Sequence, residues 1–200
     1  MFFRFSSLRT TVVKDNILSI VSANVTDQSA DLVPIESDAD RSTLRELLTE
    51  FHEWMADHAR EFYGVNTEIY DPGEELAEDF DSLTEETESW AWVARTEGEP
   101  AGCVLLYGES DELAEFRRLY VRPAHRGAGI GRRLVRETID RARTESYETL
   151  ALTTPPWSET ARALYASMGF ERVPPYPETR LPERYHDEAI FMRFDLSAEV

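Results

Sequence analysis

The sequence predicts a single mixed α/β domain, with a sheet flanked by helices rather than a doubly wound parallel sheet. Three observations predict it. A length of 200 residues suits one domain, and 42% hydrophobic with 11% aromatic residues supply a core despite a formal charge of −18. Several strand-like runs also come before the crossover helices.

Each element follows from local pattern. Asp31–Glu36 reads as a short strand, and Ser37 or Asp38 caps a helix to about Phe62, in which Leu44, Leu47, Leu48, Phe51, Trp54 and Met55 recur at helical spacing. After the turn Asp71-Pro72-Gly73, Leu76, Phe80 and Leu83 mark a second, acidic helix. Strands Trp90–Arg95 and Ala101–Tyr107 flank the turn Glu97–Pro100 as a hairpin, and Leu113–Val121 is the next strand. A glycine-rich loop leads to a helix ending near Glu145 that lines up Ile130, Leu134, Val135, Thr138, Ile139 and Ala142. Thr149–Thr153 is a strand, and Ser158 is placed to cap a helix that Gly169 ends. Proline-rich Val173–Pro182 reads as an ordered loop or a substrate lid, and Ala189–Leu196 closes the sheet. Residues 1–30 differ in composition and form an extension: a mobile arm, an added strand, or the product of an upstream start codon.

The charge balance excludes several partners. Asp and Glu total 39 against 21 basic residues, and Lys14 is the only lysine. Phosphate backbones and anionic membranes need concentrated positive charge, so no nucleic acid and no membrane is the expectation. An acidic surface with arginine as nearly the sole cation suits a salt-rich cytoplasm and suggests a halophile. Cys103 is the single cysteine, which rules out an intramolecular disulfide. The apolar stretch Ile17–Val21 is too short for a secretory signal, so a cytoplasmic location is expected.

Glu115–Val135 reads EFRRLYVRPAHRGAGIGRRLV, parsed as a strand, a tight loop and a helix. Gly127, Gly129 and Gly131 let backbone N–H groups turn around an anion while the helix directs its positive end to the same point. Nine arginines face only Glu137 and Asp140 between Arg117 and Arg143, a positive island in an acidic chain. A diphosphate fits it. A solvated helix face is the plainer reading for Arg136, Arg141 and Arg143. A Walker loop needs Gly-Lys-Ser/Thr, and Gly131 is followed by Arg132; the dinucleotide fingerprint needs G-x-G-x-x-G, and the spacing here is G-x-G-x-G.

The run RGAGIG, Arg126–Gly131, resembles the R/Q-x-x-G-x-G/A acyl-CoA loop of the GNAT superfamily of N-acetyltransferases. Leu119-Tyr120-Val121-Arg122-Pro123 resembles that family's central strand, and ARALYASMGF, Ala161–Phe170, its later A-x-x-L-Y-x-x-x-G-F segment. The resemblance covers about residues 31–197. It implies a mostly antiparallel twisted sheet, with acetyl-CoA as cosubstrate held by Leu119, Tyr120, Val121, Arg126, Gly127, Ala128, Gly129, Ile130, Gly131 and Arg132. Many relatives carry Asn where this chain has Ser158, whose contact with the cofactor is inferred from its place. The acceptor is then a small-molecule or peptide amine, and a homodimer is compatible with the family.

Direct attack by an amine needs a base for its proton and an acid for the departing thiolate. Glu115 resembles the family's glutamate base in spacing. It lies six residues before Val121, so alternation along a regular strand would direct both side chains to one face. Its alternative is an ion pair with Arg117 or Arg118. Tyr165 matches the family tyrosine that protonates the thiolate, and its alternative is an aromatic packed between helix and sheet. Cys103 reads as a core residue. His52, His58, His125 and His186 suggest no metal, because the H-E-x-x-H pattern begun at His52 fails at Ala56. Trp54, Tyr63 and Tyr70 lie where an acceptor pocket is expected, and Glu50, Glu53 and Asp57 nearby could attract a cationic amine or simply form a solvated face. The rival function is a CoA-binding regulatory module that keeps the loop and has lost turnover.

Overall fold

A computed structural model of the chain describes residues 30–64, 71–85 and 88–197. All but the last residue of the expected extension, and Tyr70, therefore lie outside the described residues. In chain order the elements are β1 (Asp31–Pro34), α1 (Asp38–Tyr63), α2 (Pro72–Glu85), β2 (Ser89–Thr96), β3 (Glu99–Gly108), β4 (Leu113–Val121), α3 (Ile130–Thr144), β5 (Thr149–Thr154), α4 (Glu159–Ser167), β6 (Glu171–Val173) and β7 (Ile190–Asp195). The strands form one seven-stranded sheet in the order β1-β2-β3-β4-β5-β7-β6. Every pairing is antiparallel except β4 with β5.

Local chemistry explains where the helices begin. Ser37 Oγ accepts from the Asp40 N–H at 3.2 Å, and the Asp40 carboxylate accepts from the Ser37 N–H at 3.1 Å, a reciprocal capping box that starts α1. Leu44, Leu47, Leu48 and Phe51 then pack with Val93, Cys103, Leu105 and Tyr120 on one face of the sheet. Ile130, Leu134, Val135 and Ile139 of α3 pack with Ala114, Phe116, Tyr165 and Phe170 on the other. Burying these apolar stripes at helical spacing fixes α1 and α3 on opposite faces of the central strands.

The centre of the sheet comes apart. β4 pairs with β5 only through Leu113↔Thr149, Ala114↔Leu150 and Glu115↔Ala151. Against β3, Leu105 faces Arg117 while Cys103 faces Tyr120, so Arg118 and Leu119 together oppose Val104 in a bulge. Arg118 has φ +55°, and a Cβ on Gly102 of β3 would lie 2.3 Å from the Tyr120 carbonyl oxygen. Only glycine lets β3 approach β4 so closely beyond the bulge.

Two expectations are corrected, and three short elements are added. The extra residue of the bulge reverses alternation, so Ala114 and Phe116 share a core with Leu119 and Val121, while Glu115 faces the opposite side from Val121. Ser158 precedes α4 as expected, yet its side chain makes no capping bond. The expected loop from Val173 begins at the last residue of the three-residue strand β6, which was not foreseen, nor were the 3-10 segments of one turn at Pro123–His125 and two turns at Glu183–Glu188. Runs of three to six residues are too short to show a period.

Candidate functional site

The site is built around the end of β4. Gly127 and Gly129 hold φ of +83° and +81°, the left-handed conformation glycine adopts without a Cβ penalty. Gly131 serves differently. It sits in the first turn of α3, and a Cβ there would lie 3.4 Å from Leu164 and 3.8 Å from Val121, so its smallness brings α3 close to α4 and β4. The first bond of α3 runs from the Arg133 N–H to the Gly129 carbonyl at 3.1 Å, which leaves the N–H groups of Ile130, Gly131 and Arg132 without intrahelical acceptors. The Ile130 side chain is buried in the core, so only its backbone is offered to a ligand.

The positive island divides in two. The arginines in β4 and directly after it are neutralised: Arg117 pairs with Glu109 and Glu115, Arg118 with Asp79 and Glu75, and Arg122 with Glu46 and Glu50. At the loop and first turn of α3 the charge is uncommitted. Arg126 donates to the Val121 carbonyl at 2.9 Å and lies over the Trp54 ring, Arg132 donates to Ser167 Oγ at 2.7 Å, and Arg133 is exposed. None of these three meets a carboxylate among the described residues. Uncommitted guanidinium charge, positive-φ glycines and free helical N–H groups thus converge where a phosphate group is favoured. Arg141, by contrast, is half-buried: it pairs with Glu145 and lies over the Trp90 and Trp92 rings.

Glu115 lies at the vertex of the split, the last residue of β4 paired with β5, and is 3% exposed. Arg117 donates to Oε2 from Nε at 3.0 Å and from a terminal nitrogen at 2.6 Å. Oε1 accepts from the Tyr176 hydroxyl at 2.8 Å and from Thr153 Oγ1 at 3.3 Å. Burial and the neighbouring Glu115 charge push the Tyr176 phenol far above its ordinary pKa. Glu109 is likewise raised, chiefly by burial, against the lowering influence of Arg117 and Arg180. Sequence reasoning missed Tyr176 and Arg180, which reach the site from the loop after β6. Their one signal was a tyrosine and an arginine inside a proline-rich stretch.

Tyr165 points from α4 into the core between Phe116 and Phe170, with ring centroids 5.5 and 6.0 Å away. Burial raises its phenol pKa well above 10, and its hydroxyl has no hydrogen-bond partner among the described residues. The Ser158 hydroxyl makes no capping bond at the start of the same helix. Cys103 is sealed on the α1 face, and burial pushes its thiol up, away from the thiolate a nucleophile needs.

The helices of the α1 face brace β4. Arg122 grips Glu50 through Nε at 3.0 Å and a terminal nitrogen at 2.7 Å, reaches Glu46 as well, and donates to the Pro100 carbonyl at 2.8 Å. The Tyr120 hydroxyl donates to the same Glu50 at 3.3 Å, so Tyr120 faces α1 while its neighbours Leu119 and Val121 face α3. Glu50 is therefore committed, whereas Asp57 stays on the solvated face in an exposed pair with Arg60. Trp54 stacks on His58 and Phe51, and Tyr63 and the 55% exposed Phe62 meet Trp157 at 5.4 and 5.1 Å from the far side of the split. Among the described residues no group of three or more His, Cys, Asp or Glu side chains could hold a metal ion, and no helix is long and apolar enough to cross a membrane.

Known proteins share this architecture and these segments. Residues 42–170 match the model of the Acetyltransferase (GNAT) family. An uncharacterised N-acetyltransferase of Schizosaccharomyces pombe is 35% identical over 107 residues, which cover 52% of this chain and 63% of that protein. An N-acetylaspartate synthetase of Xenopus tropicalis is 37% identical over 83 residues, 41% of this chain and 31% of that one. The match thus spans from about a third to under two thirds of these relatives. The fold is also that of the PaiA N-acetyltransferase of Thermoplasma acidophilum in complex with coenzyme A, with a TM-score of 0.58 at 18% identity over 82% of this chain and 99% of that one.

Proposed function

The chain belongs to the Acetyltransferase (GNAT) family, and on that premise we propose that it transfers an acetyl group from acetyl-CoA to a primary amine by direct attack. One observation carries the reading: three free helical N–H groups and three uncommitted arginines meet at the end of a strand whose β5-facing edge is unpaired beyond Glu115. The diphosphate would rest on Arg126–Arg132, and the extended arm of the cosubstrate would pair along Phe116–Val121 as an added strand does. The Ser158 hydroxyl is proposed to meet the same ligand from the start of α4.

Proton traffic follows from the two candidate catalytic groups. Tyr165, holding its proton through burial, would donate it to the departing thiolate. Glu115 is sealed, so a proton from the amine would reach it by way of the Tyr176 and Thr153 hydroxyls or a water between them. No covalent acyl-enzyme forms in this scheme, which agrees with the protonated, buried Cys103. Kinship with an N-acetylaspartate synthetase supports a small-molecule amine over a peptide as acceptor. We assign the transferase domain to residues 31–197, and the composition supports a salt-rich cytoplasm, with a homodimer as the assembly to test.

A CoA-binding regulatory module without turnover is the second reading. It is favoured by the saturation of Glu115, whose carboxylate already accepts from Arg117, Tyr176 and Thr153. Calorimetric titration with CoA, run beside CoA release from acetyl-CoA over a panel of primary amines, separates the two. Binding with release supports transfer, binding without release supports the module, and no binding removes both.

A further inference from the structure

Three non-glycine residues have left-handed backbone conformations among the described residues, and two of them, Glu97 and Ser146, lie in turns. Arg118 is different. It holds φ +55° inside β4, where a side chain is disfavoured and glycine would be relaxed. Its side chain explains the choice of residue. Nε donates to both Asp79 oxygens at 3.0 Å, and a terminal nitrogen donates to Glu75 at 2.7 Å, so α2 grips the bulge from one side. His52 of α1, fully buried, donates from Nε2 to the Asp79 carboxylate at 2.8 Å. The Cys103 thiol meets the Arg118 carbonyl at 3.8 Å. One buried carboxylate therefore ties two helices to the single irregular residue of the central strand.

Stability is a poor account of this arrangement, because buried ion pairs commonly contribute little net stability relative to apolar packing. Position is a better one. The bulge sets the angle at which Leu119–Val121 leave the paired half of β4, and with it the place of the free edge relative to β5 and Tyr165. We infer that His52, Asp79 and Arg118 form a clamp that positions the free edge of β4 for the transfer step, coupling α1 and α2 to the reacting acyl group. They are positioning residues, acting through the strand. The inference rests on the proposed transferase reading.

The test uses the full chain with acetyl-CoA and the primary amine giving the fastest CoA release. Arg118→Gly removes the clamp while relaxing the backbone, and Asp79→Asn keeps the shape while removing the charge. Both should lower kcat at least tenfold, towards the roughly 10²-fold loss expected of a displacement of about 1 Å, with the CoA Kd and the KM for acetyl-CoA unchanged within about twofold. Arg118→Lys should recover part of the lost rate. Folding is checked by a cooperative melt above the assay temperature; should one variant fail it, the other decides. Unchanged kcat in a folded variant overturns the clamp, as does a parallel loss of kcat and CoA affinity, or loss of fold in both variants. An inactive wild type refutes the transfer reading and the clamp together, whereas an active wild type with fully active variants refutes the clamp alone.

Discussion

β4 with its first following residue, and the loop and helix start beyond it, solve opposite problems with the same residue type. Arg117, Arg118 and Arg122 are locked against carboxylates from β4 itself, the β3–β4 connection, α1 and α2, whereas Arg126, Arg132 and Arg133 past the end of the strand are left without acidic partners. A local excess of positive charge is thus not one feature. The locked half spends its charge on holding a strand in an unusual path, and the open half offers charge and bare N–H groups to an anion. Identical side chains acquire different work from what the neighbouring helix presents to them.

Removing the proposed proton donor should give the largest effect. Tyr165→Phe keeps the packing against Phe116 and Phe170, so it should lower kcat by about 10²-fold or more while the CoA Kd stays near wild type; a normal kcat would break the catalytic half of the scheme. The raised phenol also makes a pH statement. Because the buried Tyr165 pKa lies above its ordinary value, its proton is retained through the region near pH 10 where a free tyrosine titrates, and kcat should show no tyrosine-dependent fall below that pH.

Next comes the vertex. Glu115→Gln should reduce kcat about tenfold if proton transfer runs through the Tyr176 hydroxyl, and an unchanged kcat would leave Glu115 as a structural partner of Arg117 alone. At the open half, a Cβ added at Gly129 meets no atom within 4 Å, so any loss in Gly129→Ala reports backbone conformation at φ +81° rather than a clash. We expect CoA affinity to fall about tenfold by calorimetry, equivalent to ~1.4 kcal/mol. The smallest effect is that of Arg132→Ala, a loss of CoA affinity of a few-fold that shrinks at multimolar KCl, since an exposed cation is screened. Should Arg122→Ala, in the locked half, match its salt dependence, the division between the halves would fail.

The open half was legible in the sequence and the locked half was not. Gly127, Gly129 and the start of α3 are local: glycine spacing and the onset of helical period announce them within ten residues. The assigned parity of Glu115 and Val121 failed because a bulge arises from partners far along the chain, Gly102 on β3 and Asp79 on α2, that no local window contains. Tyr176 was hidden for the same reason: it reaches Glu115 across 61 positions of sequence. Glu50, expected to attract an amine or to lie on a solvated face, is instead held by Arg122 of the strand's end, whereas Asp57 does lie on the solvated face in an exposed pair with Arg60. Ser158 was assigned a cap from its place before a helix, and its backbone does not turn the hydroxyl towards the helical N–H groups.

The parting of the sheet carries a liability of its own. Besides the outer borders at β1 and β6, Phe116–Val121 and Leu152–Thr154 present an inner pair of strand borders, and unsatisfied amide rows of this kind recruit foreign chains into aggregates. Anything that fills the cleft covers that border. A cosubstrate present at a hundred times its Kd would add about 2.7 kcal/mol to folding, so the cell's supply of the acyl donor would also set how long this protein stays in solution on heating.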